Sequence, residues 1–325
     1  MMIFDGHGDI WTDVAQRRKK GHRNIIKNVH LDRFKKGNML GGIFIIWIDP
    51  DNDIDPRTQT LEIIEYMGTE IMENQDILKI VKSTEDFNAA LEEDKLAVII
   101  GMEGLSGIGD NVDLINTLYL LGVRHVSLTW NEENPLATGV KGNTNRGLSK
   151  KGIEAVQLME KLGIIVDTAH ANDKTFWDIY ENTTGPIINS HSNARALCNV
   201  PRNITDDQIK AIAERGGLIG LNTFNEFVHI DKDKRDINNL ANHLDYLVEL
   251  VGIDHVGFGF DFFDYLEEDS MESFVEDKKT LSAKGIETIV KVPELIDILY
   301  NRGYSKEDID KISYRNFYRI IEEVL

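Results

Sequence analysis

Residues 147–170 read GLSKKGIEAVQLMEKLGIIVDTAH and contain one complete helix–strand unit. Apolar residues recur at three- and four-residue spacing over 151–162, which predicts an amphipathic helix. The run at 163–167 is continuously apolar up to its final aspartate, which predicts a buried strand. The unit therefore ends in Asp167 and His170, two side chains that can carry chemistry.

The same alternation of apolar run, polar loop and helical periodicity repeats along the chain. The apolar runs that predict strands occupy 3–4, 42–48, 96–101, 123–129, 163–167, 186–189, 217–221 and 255–260. Helical periodicity occupies 60–74, 111–121, 151–162, 175–180, 205–215, 240–251, 292–302 and 306–323, with Thr205 and Asp206 as candidate N-caps. Apolar strands that alternate with helices predict a parallel sheet, and eight such units predict a (β/α)8 barrel of the TIM type. Because no linker or composition shift interrupts the pattern, we expect residues 1–325 to form a single catalytic domain.

Composition narrows the classes of function and of site. The formal net charge of −19 argues against nucleic acid and anionic membranes as partners. The single cysteine cannot form an internal disulfide or a thiolate-rich metal site, so a metal would have to be bound by His, Asp and Glu. The opening MMIFDGHGDIW lacks the features of a secretory signal, and no run approaches the roughly 18 apolar residues of a membrane span. We therefore expect a cytoplasmic protein.

Residues suited to metal binding follow five of the predicted strands, at the barrel end where catalytic side chains lie. Taken singly, each has an ordinary explanation: a buried histidine is usually a hydrogen-bonded core residue, and a terminal aspartate often caps the next helix. Together they predict a metal site built from His7, Asp9, Glu103, His170, His191 and Asp261. Asp167 either orients a neighbouring ligand or caps a loop. The six other histidines are expected to be structural or exposed, namely His22, His30, His125, His229, His243 and His255.

Several long segments resemble the membrane (renal) dipeptidase family, peptidase family M19, a group of amidohydrolase-like metal-dependent barrels. DGHGD at 5–9 resembles the opening DGHND-type segment of that family, and GMEG at 101–104 resembles its GxEG segment. The quoted stretch at 147–170 is similar to the family's GLSxxG…LGxxxDxSH pattern. Further matches are PIINSHSNARALCNVPRNITDDQIKAI at 186–212, HVGFGFDFFD at 255–264 and NFYRIIEEVL at 316–325.

The resemblance implies a zinc-dependent dipeptidase with two zinc ions per chain. His7 and Asp9 would hold one zinc, His170 and His191 the other, and Glu103 would bridge them. Arg202 matches the residue that pairs with the substrate carboxylate, and Asp261 matches the proton shuttle. The implied reaction is attack of a metal-bridging hydroxide on the peptide bond of a dipeptide, with tolerance of a D-residue at the C-terminal position. The family likeness also implies a homodimer.

The chain departs from the family pattern at two positions, one of which is Phe263, between Phe262 and Asp264 in the segment HVGFGFDFFD. Where the animal enzymes have a substrate-contacting histidine after strand four, this chain has Trp130, in SLTWNEENPLATG at 127–139. An indole offers one N–H donor and no acceptor, so Trp130 replaces a histidine poorly and Asn131 is the neighbouring residue that could supply a donor. We therefore expect Trp130 and Asn131 to contribute to substrate binding, with an altered substrate preference.

Three alternative functions remain open from the sequence. A barrel of this kind could hydrolyse N-acyl amino acids, lactones or phosphotriesters, although a carboxylate-binding Arg202 favours amino-acid-like substrates. A second alternative is a catalytically impaired, metal-dependent binding protein, for which Trp130 is the support. A mononuclear deaminase is a weaker alternative, because such a site has no use for a bridging Glu103.

Overall fold

The computed structural model describes residues 2–49, 53–266 and 281–325. Across these residues one sheet contains nine strands, and every pairing between them is parallel. In chain order the strands are β1 Ile3–Gly8, β2 Met39–Trp47, β3 Leu78–Ile80, β4 Leu96–Glu103, β5 Val123–Ser127, β6 Ile165–Asp167, β7 Ile187–Asn189, β8 Leu218–Leu221 and β9 Val256–Phe258. Eight of them follow one another around a nearly closed barrel in the order β1-β2-β4-β5-β6-β7-β8-β9, which confirms the predicted fold class.

The ninth strand, β3, was not predicted. It pairs with residues 96–98 of β4, outside the path of the barrel, and only Leu78 of its three residues is buried. The remaining strands coincide with the eight predicted runs, with ends that differ by a few residues.

The helices surround the barrel and cover the outer face of its strands. Their bounds are α1 Ile10–Lys19, α2 Leu31–Lys36, α3 Pro56–Glu73, α4 Thr84–Glu92, α5 Leu114–Leu121, α6 Lys150–Leu162, α7 Asp173–Asn182, α8 Asp206–Glu214, α9 Asn225–Val228, α10 Ile237–Val251, α11 Val292–Asn301, α12 Lys306–Asp310 and α13 Asn316–Val324. The predicted N-cap Thr205 accepts a hydrogen bond from the backbone of Gln208, and the Gln208 side chain completes a capping box. The helix expected over 306–323 is instead interrupted by a π-helical turn, Lys311–Arg315.

Alternation along the strands decides which side chains enter the barrel. In β4, Ala97 and Ile99 belong to the inner hydrophobic cluster, whereas Val98, Ile100 and Met102 pack outward with the helices. The same period of two carries Gly101 and Glu103 to the inside. Phe317 of α13 belongs to the inner cluster with Phe4 of β1, so the C-terminal helix fills the floor opposite to the site described below.

A side chain helps to join the first and last strands of the barrel. The Asp5 carboxylate accepts hydrogen bonds from the backbone N–H groups of Phe260, at 2.9 Å, and of His7, at 3.2 Å. Burial raises the pKa of Asp5 to about 7. The backbone N–H of Asp261 also lies 3.4 Å from the His7 carbonyl oxygen. The ends of β1 and β9 that carry His7 and Asp261 are therefore held side by side.

In the part of the chain that the structure describes, each helix is too short or too polar to cross a lipid bilayer.

Candidate metal centre and active site

The six predicted metal-site residues meet at the C-terminal mouth of the barrel. Glu103 Oε1 lies 2.8 Å from His170 Nε2, 3.4 Å from His191 Nε2 and 3.7 Å from His7 Nε2. His7 Nε2 lies 3.9 Å from Asp9 Oδ1 and 3.8 Å from Asp261 Oδ1. The three imidazoles therefore point their Nε2 atoms toward one carboxylate in the centre, and the two remaining carboxylates flank His7. All six side chains are buried, as the relative exposures show: His7 1%, Asp9 6%, Glu103 5%, His170 7%, His191 1% and Asp261 8%.

The local backbone is strained at two of these positions. His170 has a φ of 65° and Asp261 a φ of 58°, in the left-handed region that residues with a Cβ seldom adopt. Strain of this kind persists where the surrounding structure enforces it, and it concentrates at functional sites. Each residue lies three positions beyond the end of a strand, β6 for His170 and β9 for Asp261, in the loops at the barrel mouth.

Burial of the site disfavours the charged forms of its carboxylates and imidazoles. Burial raises the pKa values of Asp9 and Glu103 well above the usual carboxyl range, and the neighbouring carboxylates reinforce the effect. Burial also raises the pKa of Asp261 to about 6, although Arg202 and Asn222 oppose the shift. The same desolvation lowers the pKa of His7 to about 3 and holds the pKa values of His170 and His191 well below their usual range. The imidazoles are therefore neutral, with lone pairs available to a cation.

The spacing of these atoms fits a metal ion. Ligand atoms that share one zinc at about 2.0–2.2 Å lie roughly 2.9–3.6 Å from one another. His170 Nε2 lies 2.9 Å from His191 Nε2, and with Glu103 Oε1 the two nitrogens form a triangle of this size. The atoms around His7 are more widely spaced, and the groups His7–Glu103–His191 and His7–Asp9–Asp261 each bring their ligand atoms within 4.8 Å of one another. Asp9 Oδ1 is buried and accepts no hydrogen bond from the described residues, so it does not act as a helix cap.

Comparison with known proteins places the chain in a family. Residues 1–325 match the model of the membrane dipeptidase family, peptidase family M19. The chain belongs to the membrane dipeptidase family. An uncharacterised protein from the pqqA 5′ region of Klebsiella pneumoniae is 33% identical over 286 residues, which cover 85% of this chain and 98% of that protein. An uncharacterised dipeptidase of Schizosaccharomyces pombe is 31% identical over 313 residues, which cover 91% of this chain and 72% of the relative.

A solved metallopeptidase structure has the same fold. The metallopeptidase of Rhodobacter sphaeroides, crystallised with a phosphinate mimic of the dipeptide L-Ala-D-Ala, superposes with a TM-score of 0.86 at 24% identity. The superposition covers 100% of this chain and 99% of that structure. The match of residues 1–325 to the family model confirms the resemblance that the sequence motifs indicated.

A cavity of about 360 Å³ opens beside the cluster of candidate metal ligands. Trp47 and Trp130 form an edge-to-face pair on one wall, with ring centroids 5.4 Å apart. Phe224 and Phe227 line another wall, and the Arg202 guanidinium lies 5.2 Å from the centre of the Phe227 ring. A cavity of this size with apolar walls and a few polar groups is typical of a site for a small molecule.

Arg202 and Asn131 lie in this cavity, in contact with the histidines. Arg202 Nη1 donates to Ser192 Oγ at 3.1 Å, and Nη2 donates to the His191 carbonyl oxygen at 3.2 Å and lies 3.1 Å from His170 Nε2. Asn131 Oδ1 lies 2.9 Å from His170 Nδ1. Because a carbonyl oxygen can only accept, the His170 ring carries its proton on Nδ1, and its Nε2 lone pair faces Glu103.

Sequence reasoning missed two polar residues of the site. Asn222 donates through Nδ2 to Asp261 Oδ2 at 3.2 Å, and the hydroxyl of Ser190 lies 2.7 Å from His191 Nδ1. Ser190 stands beside a predicted ligand in the SHS motif, so its position in the sequence was a usable signal. Asn222 directly follows strand β8, at the same end of the barrel as the candidate ligands, but an amide there has many structural uses.

Proposed function

We propose that this chain is a metallopeptidase that hydrolyses dipeptides and uses two zinc ions per chain. The observation that carries the proposal is the cluster of three neutral imidazoles and three buried carboxylates beside Arg202, at the mouth of a barrel of the membrane dipeptidase family. His170, His191 and Glu103 would hold one ion, and His7, Asp9 and Glu103 would hold the other. Bound zinc supplies Lewis acidity and lowers the pKa of water to about 7.

Asp261 is the residue suited to move protons. Its Oδ2 is held by Asn222, whereas its Oδ1 is directed toward His7 at the centre of the cluster. With its pKa raised to about 6, the carboxylate accepts a proton more readily than an exposed one and remains able to donate it near neutral pH. In the proposed reaction Asp261 takes the proton of the attacking water, the peptide C–N bond breaks, and the same proton passes to the leaving amine.

Arg202 is suited to grip the C-terminal carboxylate of a short peptide. Its guanidinium is held in place by Ser192 and by the His191 carbonyl, and it lies against the Phe227 ring. Its Nε–H is buried and has no hydrogen-bond partner among the described residues. A planar fork beside the reacting centre selects substrates whose carboxylate follows the scissile bond by one residue.

The apolar walls of the cavity suit the side chains of a dipeptide. Phe227 lies against Arg202 and Phe224 packs on Phe227, so both would contact the residue that carries the carboxylate. Trp47 and Trp130 would contact the N-terminal residue. The Rhodobacter sphaeroides relative was crystallised with a mimic of L-Ala-D-Ala, and we extend to this chain the tolerance of a D-residue at the C-terminal position.

A second candidate activity is hydrolysis of N-acyl amino acids, because these also place a carboxylate one residue beyond the scissile amide. The apolar wall at Trp47 and Trp130 favours it, since an acyl chain carries no ammonium group. Lactones lack the carboxylate that Arg202 would bind.

The deciding experiment measures bound metal and turnover on the same preparation. The protein would be purified without chelator, analysed for metals per chain, and assayed with L,L- and L,D-dipeptides, N-acyl amino acids and lactones. Close to two metals per chain with turnover of dipeptides is the expected result. Two metals with turnover of acyl amino acids alone would select the second candidate. Absence of bound metal after zinc is supplied would overturn the proposal.

A further inference from the structure

A chain of hydrogen bonds runs from the proposed ligand His191 into the interior of the barrel. His191 Nδ1 lies 2.7 Å from Ser190 Oγ, and Ser190 Oγ lies 2.5 Å from Asp167 Oδ2. The same carboxylate oxygen lies 3.0 Å from His125 Nε2. None of the four side chains exceeds 2% relative exposure, so water does not compete for these bonds.

The direction of each bond follows from counting donors at Asp167. Its Oδ1 accepts the backbone N–H groups of Ala169 and Ser190, both at 2.9 Å, and its Oδ2 faces the Ser190 hydroxyl and His125. Burial raises the pKa of Asp167, but the hydrogen bonds from His125 and Ser190 outweigh it and leave the pKa below its usual value. The carboxylate is therefore ionised and accepts from all four groups.

The tautomer of His191 follows from the single proton of the serine hydroxyl. Ser190 gives that proton to Asp167, so its oxygen can only accept from the imidazole. His191 must then carry its proton on Nδ1 and hold its lone pair on Nε2. That lone pair points into the cluster of candidate metal ligands, where His191 Nε2 lies 2.9 Å from His170 Nε2 and 3.4 Å from Glu103 Oε1.

A glycine leaves space inside the barrel for His125, the last residue of this series of hydrogen bonds. His125 lies inside the barrel on β5, and a Cβ on Gly101 of the neighbouring strand would stand 2.7 Å from His125 Nδ1. His125 Nδ1 has no hydrogen-bond partner among the described residues. Within that part of the chain, the imidazole of His125 is therefore oriented by one hydrogen bond, from Nε2 to Asp167.

We propose that His125, Asp167 and Ser190 are positioning residues that fix the tautomer and orientation of His191 and so set the metal affinity of the site. The proposal rests on the proposed function, because it takes His191 as a metal ligand. Partners that hold a histidine ligand in its metal-binding tautomer typically contribute 10–100-fold to metal affinity.

Asp167→Asn tests the proposal because it should reverse the donor and acceptor roles along this series of hydrogen bonds while the side chain keeps its shape. The amide oxygen must take the Oδ1 place, where it accepts two backbone N–H groups, so the NH2 group faces Ser190. The serine hydroxyl then accepts from Asn and donates to His191 Nδ1. His191 is forced to carry its proton on Nε2, where it opposes a metal ion. His125 can adapt by moving its proton to the unpartnered Nδ1.

The first readout uses metal-free protein labelled with ¹⁵N at histidine. Nitrogen chemical shifts should show a protonated Nδ1 on His191 in the unsubstituted protein and a protonated Nε2 in Asp167→Asn. The second readout is zinc affinity by competition with a chromophoric chelator, and we expect it to fall 10–100-fold in the variant. Asp13→Asn is the matched control, because the Asp13 carboxylate also bonds a buried histidine, His30, at 2.9 Å. It should leave zinc affinity unchanged.

The outcomes separate this proposal from the proposed function. A protonated Nε2 on His191 in the unsubstituted protein, or unchanged zinc affinity in Asp167→Asn, would overturn the positioning role. Failure of the unsubstituted protein to bind zinc would overturn the proposed function, while the nitrogen shifts would still decide the tautomer. If Asp167→Asn does not fold, Ser190→Ala replaces it, and we expect mixed His191 tautomers with weakened zinc binding; a single Nδ1-protonated form would contradict the proposal.

Discussion

Asp261→Asn is the sharpest test of the proposed chemistry, because it changes the proton affinity of one group and little else. Asparagine adopts the left-handed φ of 58° at this position as readily as aspartate does. The Asn222 amide donates to Asp261 Oδ2 at 3.2 Å, so the new carbonyl oxygen should keep that contact. The NH2 group would then take the place of Oδ1, beside His7, where it can neither accept nor return a proton.

The size of the effect follows from the role. A positioned general acid–base group contributes about 10²–10⁴-fold to rate, which corresponds to about 3–5 kcal/mol of activation free energy at about 1.4 kcal/mol per tenfold. The loss should appear in kcat, since Asp261 has no part in the proposed grip on the substrate carboxylate. Both metals should remain bound, because His7, Asp9, Glu103, His170 and His191 are unchanged.

The assay is steady-state turnover of a dipeptide with metal analysis of the same sample. Asp264→Asn is the control, since Asp264 lies three residues further along and pairs with Arg33 at 2.5 Å, outside the cluster. We expect that control to leave kcat close to that of the unsubstituted enzyme, because the Asp264 carboxylate pairs with Arg33 outside the cluster. A kcat for Asp261→Asn near that of the unsubstituted enzyme, with two metals bound, would refute the shuttle role.

Three further predictions concern substrate grip, metal content and stability. Arg202→Lys should raise KM about tenfold or more with little change in kcat, because a lysine loses the second charge-assisted hydrogen bond to the carboxylate; equal KM values would remove Arg202 from the site. Glu103→Gln should reduce bound metal to below two per chain by elemental analysis, and full occupancy would contradict a bridging role. Burial lowers the pKa of His243 to about 4, so the unfolded chain binds its proton first as pH falls. The free energy of unfolding should therefore drop between pH 6.5 and pH 4, by up to about 3 kcal/mol from this group. Denaturant titrations at several pH values should show that the free energy of unfolding of His243→Gln depends less steeply on pH.

Much of the barrel could be predicted because its strands are apolar on both faces and read as continuous runs. Residues 42–48 and 96–101 are of this kind, and they form the centres of β2 and β4. The strand β3 was not predicted, because two of its three residues, Lys79 and Ile80, are only partly buried and the strand pairs with one end of β4 only. Helix α1 was not predicted for a related reason: Asp13 and Arg18 are among its buried residues, so its inner face is not continuously apolar.

The ligand types were predictable because few residues combine affinity for metals with a place at strand ends. Their partners were not, because serine and asparagine have many structural uses and contact residues far away in the sequence. Asp167 illustrates the limit: one of its two predicted roles was to orient His170, and its side chain instead reaches Ser190 and, through it, His191. His125 was expected to be structural, and it is buried against that same carboxylate.

The residues that orient the candidate ligands and Asp261 occupy similar positions in the barrel. Asn131 follows β5 and holds His170, which follows β6; Asp167 ends β6 and, through Ser190, holds His191 after β7. Asn222 follows β8 and holds Asp261 after β9. In each case the side chain that orients a functional residue comes from the end of the preceding strand or, for Asn131, from the loop that follows it. Neighbouring strands of a sheet lie about 4.8 Å apart, so these side chains can reach one another. Parallel strands in register therefore position both the ligands and the groups that orient them, and substitution of Asn131 or Asn222 should alter the chemistry while every proposed ligand remains in place.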